Sequence, residues 1–400
     1  MGFSQGLSGL NAASQALDVV GNNIANSQTV GFKSGSITFG DVFAGSQVGM
    51  GVQVLGVNQN FGDGILSQGN SNLSMGIQGN GFFRLTDAAG KIFYSRNGEF
   101  TKDADGFITN NGLYLTGYQA TGTPPSIQPG SPLGPIQIPD TQMPAKASTS
   151  GSLQGNLNSS DDNKVLADFD ASDASTYNFA SVVEAYDSLG NKHTVDVYYI
   201  KTADNQWTVK TRDTSAPGNP EFQETTLQFN SAGELTTTPA EVDIIGAAFK
   251  GGDPLNFKLD LSGMTQQASD TAMEPAKTDG YEPGKQNGYT VGDNGQIIAS
   301  YSNGQQQLIG QVVLSNFTNP GGLASQGNNT WSATPESGQA TNGLSGNGNL
   351  GKLHGSVLEA SNVDLGKEMV NMIVYQRNYQ SNSQTIKTQS ELLQTLSTLR

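Results

Sequence analysis

Large apolar residues recur at alternating steps of four and three near the start of the chain: Phe3, Leu7, Leu10, Leu17 and Ile24, with small Ser14 and Gly21 on the same line. This spacing keeps every member on one stripe of an α-helix and predicts a heptad seam. The other end carries a counterpart in Leu365, Met369, Met372, Tyr379 and Ile386, continued by Leu392, Leu396 and Leu399. At a rise of about 1.5 Å per residue the two helices would span roughly 35 and 55 Å, the lengths of rods rather than of helices inside a globule. The asparagine-rich run Gly21 to Asn26 predicts the end of the first helix.

From about Val52 to Ser361 the period changes to two. Val195, Val197 and Tyr199 alternate with Thr194, Asp196 and Tyr198, one face inward and one outward. Asp87-Ala88-Ala89-Gly90, Asn110-Asn111-Gly112 and Asp293-Asn294-Gly295 supply tight turns between short strands. Proline-rich stretches, Thr123 to Pro144 and Glu274 to Gly284, divide the β region. The fold class that follows is α+β: terminal α-helices forming a coiled-coil-like inner layer, with two or more mainly β domains nested between them. The expected division is a discontinuous helical domain at 1–26 and 363–400, a connector at 27–70 and 352–362, a discontinuous β domain at 71–144 and 280–351, and an inserted outer β domain at 145–279.

Composition narrows the function. Only 14% of the 400 residues are charged, 51 are glycine, none is cysteine, and the net charge is −15. Disulfide scaffolds and thiolate metal sites are excluded, and the acidity argues against nucleic acid. No stretch has the length and apolarity of a membrane span, so no membrane insertion is expected, and no cleaved signal peptide is legible at the start. The surface polarity comes from Ser, Thr, Asn, Gln and Gly more than from charge, as expected for surfaces that touch other protein surfaces.

The first helix should not stand alone. Fully buried, its large stripe residues contribute at most about 8–15 kcal/mol, whereas ordering its backbone costs on the order of 1–2 kcal/mol per residue. Gly2, Gly6, Gly9 and Gly21 weaken it further. Two readings follow. Either the terminal helices pair within the chain, or they fold on assembly and polymerisation completes their core, with Ala12, Ala13 and Ala16 flanking the seam.

Candidate chemistry is thin. Gly346-Asn347-Gly348-Asn349-Leu350-Gly351 fits a dinucleotide-loop pattern but lacks its strand and helix context, and reads as a glycine-rich turn. Asp103-Ala104-Asp105-Gly106 lacks the further ligands of a calcium loop and reads as a hairpin turn. The acidic run Asp161, Asp162, Asp168, Asp170 and Asp173 reads as a solvated loop. His193 and His354 lie on different β segments, without a nucleophile elbow. No catalytic residue, cofactor or metal is expected. Trp207, Trp331 and the tyrosines leave a second function class open, a secreted β-rich binding or adhesin protein with helical oligomerisation ends.

Two motifs at opposite ends carry a resemblance. Val19-Val20-Gly21-Asn22-Asn23-Ile24-Ala25-Asn26-Ser27, followed by Val30-Gly31-Phe32-Lys33, resembles the N-terminal signature of the bacterial flagellar rod and hook axial protein family. Leu358-Glu359-Ala360-Ser361-Asn362-Val363-Asp364-Leu365, running on to Gln376-Arg377-Asn378-Tyr379, is similar to the matching C-terminal motif. Gly81-Phe82-Phe83-Arg84, Tyr94-Ser95-Arg96-Asn97-Gly98 and the inserted β block place the resemblance in the hook branch. It implies a non-enzymatic subunit that polymerises with itself under a hook cap into a curved tube, a universal joint carrying motor torque from rod to filament. It also implies passage through the flagellar type III export apparatus, contact with the distal rod protein and the hook–filament junction protein, and a place in the hook and basal body outside the cell. The assembly interface then falls on Phe3, Leu7, Leu10, Leu17, Ile24, Leu365, Met369, Met372, Tyr379, Ile386, Leu393 and Leu396, beside the motif residues Gly21, Asn22, Asn23, Ile24, Ala25, Asn26, Gly31, Phe32 and Lys33.

Overall fold

The computed structural model describes residues 2–42, 49, 51–215 and 221–398, without the side chains of 396–398. Two helices, α1 (Phe3–Ala25) and α2 (Leu365–Thr398), bracket a β-rich middle. The chain divides into two compact units, one of 1–140, 288–300 and 306–400, the other of 141–287 and 301–305.

In the first unit α1 runs on through Asn22 and Asn23 and ends at Ala25, within the asparagine-rich run. Asn26 closes it, its backbone N–H donating to Asn22 O at 3.1 Å and its side chain to the same carbonyl at 3.0 Å. The chain then makes an antiparallel hairpin of β1 (Gly35–Asp41) and β2 (Val52–Gln59). The sequence reading began the β region at Val52, so β1 is an addition; Ile37 and Phe39, alternating with polar neighbours, are its apolar positions. Beyond the hairpin, part of a larger sheet runs in the order Gln306–Val312, Leu113–Gln119, Phe82–Thr86, Ile92–Ser95, Thr330–Ser332 and Ala324–Gly327. Its aromatic core packs Phe82, Tyr94, Phe317 and Trp331 edge to face. Two short pairings return the C-terminal chain to this unit: Lys352–Gly355 on Met75–Gln78, and Val357–Glu359 on Leu66–Gln68.

The second unit is a sandwich. One sheet meanders through Phe179–Tyr186, Lys192–Ala203, Gln206–Asp213 and Gln223–Gln228. The other orders Glu241–Ile245, Asn256–Gln267, Ser150–Asn158 and Ala272–Met273, with the middle two parallel. Val195, Val197 and Tyr199 face the shared core with Trp207, Leu259 and Leu261. Tyr198, expected outward, is also buried, because Phe169 and Tyr177 fold over that face with ring centroids 5.3 and 5.0 Å away. The acidic run belongs to this covering segment; Asp170 and Asp173 are exposed and cap turns by accepting the N–H of Ser172 and Ser175. His193 lies fully buried between two carboxylates, Nδ1 at 2.7 Å from Asp213 Oδ2 and Nε2 at 3.6 Å from Asp187 Oδ2.

Asp279 staples the segments entering and leaving the second unit. Its oxygens accept from the N–H of Thr149 and Ser150, the Thr149 hydroxyl and Lys146 Nζ, all within 2.9 Å. Partial burial pushes this carboxyl up, but the four hydrogen bonds outweigh it and hold the group well below the usual carboxylate range. Its stabilisation is therefore present above the unfolded value of about 4 and fades as pH falls towards the folded one. Replacing Asp279 by Asn is expected to cost about 2 kcal/mol at neutral pH. The gap between variant and wild type in urea melts should narrow on acidification; a gap that widens would contradict this account.

Candidate functional site: two helix faces and the ion cluster at their root

α1 carries two heptad stripes, not one. The large stripe of Phe3, Leu7, Leu10, Leu17 and Ile24 is accompanied, one residue behind, by Gly6, Gly9, Ala13, Ala16, Val20 and Asn23. One residue is about 100° of helix rotation, so the stripes point to different neighbours. The small stripe meets α2: a Cβ on Gly6 would stand 3.0 Å from Ile386 Cγ1, and one on Gly9 would stand 2.7 Å from Asn382 Oδ1. Ala13, Ala16 and Val20 are buried, while Phe3 and Leu7 stay 50% and 44% exposed and Leu10, Leu17 and Ile24 half-buried. The seam within the chain is thus made by the small side chains, which let two backbones approach closely. Of the two partners left open for the large stripe, α2 of the same chain or other copies, α2 is taken by the small stripe instead.

On α2 the expected stripe splits. Ile386 turns inward to Gly6 and Met372 is half-buried, whereas Leu365, Met369, Tyr379 and Leu393 are exposed. Val370, Ile373 and Val374 extend that exposed apolar surface; sequence reasoning missed them because they lie beside the stripe it followed. The side chain of Leu396 lies outside the described residues. Such a run of large apolar side chains on one helix is what a soluble monomer buries.

The motif asparagines act at the root of the helix. Asn23 is buried and grips the first residue of β1 with both ends of its amide, Nδ2 donating to Gly35 O at 2.8 Å and Oδ1 accepting from Gly35 N at 2.9 Å. Asn22 and Ala25 are exposed; Gly21, Ile24 and Asn26 are half-buried. Phe32 is half-buried beside the buried pair Gly31 and Lys33.

Lys33 is the centre of a sealed ion cluster. Its Nζ donates to Glu359 Oε1 at 2.6 Å and to Gly62 O at 2.7 Å. The other oxygen, Glu359 Oε2, receives Arg96 Nη1 at 3.1 Å, and Arg96 Nη2 reaches Gly79 O at 2.7 Å. Lys33 and Glu359 side chains have 0% exposure and Arg96 2%. Burial, then the neighbouring Arg96 charge, holds the Lys33 ammonium below its ordinary range despite the carboxylate. Three stretches quoted separately from the sequence, Val30–Lys33, Tyr94–Gly98 and Leu358–Asn362, therefore converge on one charge cluster. Of the three charged residues the sequence singles out only Lys33 as a site residue; no local spacing pairs it with Arg96 and Glu359, 63 and 326 residues away.

Gly31 makes the convergence possible. At φ +68° its missing Cβ would lie 2.5 Å from Arg96 C and 2.6 Å from Asn97 N, and its own N–H donates to Glu359 O at 2.8 Å. Both the left-handed backbone and the close approach demand glycine. Gly31→Ala is expected to cost roughly 2–4 kcal/mol from strain and overpacking. A thermal melt reads it, and an unchanged transition would refute the packing argument.

Comparison with known proteins agrees across the whole chain. Four family models match: "Flagella basal body rod protein" at 5–33, "Flagellar hook protein FlgE/F/G D1 domain" at 76–166, "Flagellar basal body protein FlaE D2 domain" at 156–281, and "Flagellar basal body rod FlgEFG protein C-terminal" at 354–399. The flagellar hook protein FlgE of Escherichia coli is 51% identical over 402 residues, covering all of both chains. That of Salmonella typhimurium is 50% identical over 404 residues with the same full coverage, and that of Borreliella burgdorferi 31% over 442, covering 99% of this chain and 98% of its own. The crystal structure of Helicobacter pylori flagellar hook protein FlgE2 shares the fold, with a TM-score of 0.53 at 18% identity over 74% of this chain and all of that one.

Proposed function

The chain belongs to the flagellar hook protein family, a structural subunit of the hook, and we propose that its copies polymerise into a curved tube acting as a universal joint. The observation that carries this reading is the apolar surface left uncovered on both helices: Phe3 and Leu7 on α1, and Leu365, Met369, Val370, Ile373, Val374, Tyr379, Leu392 and Leu393 on α2. Among the described residues none covers it, whereas another copy would supply a matching surface. The helical layer would line the tube and resist twist. The β units would sit outward, where subunits must slide as each line of copies lengthens and shortens around the bend. Few charges suit sliding, since bidentate ion pairs lock one register.

The same reading takes in export through the flagellar type III apparatus, growth under a hook cap, and end contacts with the distal rod protein and the hook–filament junction protein. Among the described residues no helix is long and apolar enough to cross a membrane. Full-length identity to hook proteins leaves no observation favouring the adhesin alternative. Electron microscopy of the purified chain before and after inducing polymerisation tests the proposal. Curved tubes are the expected result; a discrete particle under every polymerising condition would end it.

A further inference from the structure

We infer that in this assembly Asp18 on α1 of one copy pairs with Arg377 on α2 of a second copy, a contact that rests on the polymer reading above. Asp18 is the single charged residue of α1, and it is exposed. α2 carries Lys367, Glu368, Arg377, Lys387 and Glu391. Lys387 has Glu391 one turn on, and Lys367 has Asp364 three residues before. Arg377 has Ile373, Val374, Gln380 and Ser381 at those distances, so no acid lies within its own helical turn. Among the described residues neither Asp18 nor any charged residue of α2 makes an ion pair, and Arg377 differs from the two lysines in having no acid within reach along its own helix.

The surroundings of the two groups are complementary. Arg377 is exposed one turn from Ile373 and Val374, on the apolar surface of α2 that assembly must cover. Covering it without an anion would strand a desolvated guanidinium, which a stable interface does not tolerate. Asp18 stands at the rim of a cleft of about 340 Å³ between α1 and the hairpin, whose wall includes Val19, Asn22 and Val57. Valines suit the methylenes of a long basic side chain, and a carboxylate beside an amide suits its planar head. Arginine from a second copy therefore fits the cleft by shape and by charge, and each lone charge finds its counterpart.

The test is a charge swap in a strain lacking the native gene, with purified chains followed in parallel. Asp18→Arg and Arg377→Asp alone are each expected to reduce polymer at least tenfold while the monomer's urea melt stays unchanged; the two together restore it. Singles that polymerise like wild type, or a double no better than the worse single, overturn the pairing but leave the polymer reading intact. A wild-type chain that stays monomeric in the same assay overturns both. Because the chain has no cysteine, Asp18→Cys with Arg377→Cys gives two unique thiols. A short bismaleimide should then produce a ladder of multimers from assembled protein, and a product confined to monomers would place the contact within one chain and refute the inference.

Discussion

Glu359→Ala is expected to destabilise the first unit by about 3–5 kcal/mol, the effect of removing the buried carboxylate that Lys33 and Arg96 share and leaving only the exposed Asp63, 3.6 Å from Arg96, as counterion. Three donors lose their acceptor at once: Lys33 Nζ, Arg96 Nη1 and the Gly64 N–H, which reaches Glu359 Oε1 at 2.9 Å. A water in the vacated space could accept a hydrogen bond but could not supply the negative charge that the enclosed Lys33 faces. Urea denaturation monitored by Trp331, which packs in the same unit and donates to Gln59 Oε1 at 2.6 Å, reads the loss. The double change Lys33→Met with Glu359→Leu should be milder than Glu359→Ala, because it removes the desolvated pair rather than half of it. A midpoint for Glu359→Ala indistinguishable from wild type would mean that the cluster does not hold the chain ends to the β domain.

Ile373→Asp is expected to leave the monomer intact and abolish polymerisation. Ile373 is 51% exposed in the chain, so an aspartate there should alter monomer stability by no more than about 0.5 kcal/mol. In an assembled helical layer the same carboxylate would be buried against apolar neighbours without a partner. A penalty of about 3 kcal/mol per contact corresponds to a rise of roughly a hundredfold in the concentration needed to assemble. Light scattering of purified chains and motility of the complemented strain measure it, with Ile373→Leu as the variant that should assemble normally. Straight or curved tubes of wild-type yield from Ile373→Asp would remove the exposed surface from the account of assembly.

Much of this architecture is readable from local pattern. The terminal helices, the asparagine-rich stop after Ala25, the turn character of Asp103–Gly106 and Gly346–Gly351, and the inward alternation of Val195, Val197 and Tyr199 each follow from a few neighbouring residues. The places that local pattern misjudges involve a distant segment. Tyr198 reads as outward on its strand and is buried because Phe169, twenty-nine positions earlier, lies over it. The hairpin strand β1 escaped notice because its partner β2, rather than its own few apolar residues, makes it a strand.

The heptad spacing by itself determined that each end of the chain is a long helix, and which residues share a stripe, since the turn of an α-helix is set by backbone geometry alone. Only the tertiary structure decided which stripe on α1 is used within the chain. Backbone approach favours the smaller side chains, so Gly6 and Gly9 take α2, Ala13 and Ala16 are buried, and Phe3 and Leu7 of the large stripe are left outward. It also decided the meaning of Lys33, Arg96 and Glu359. A buried charge is tolerable only beside its counterion, and three segments far apart in sequence meet there only once the sheet has brought them together.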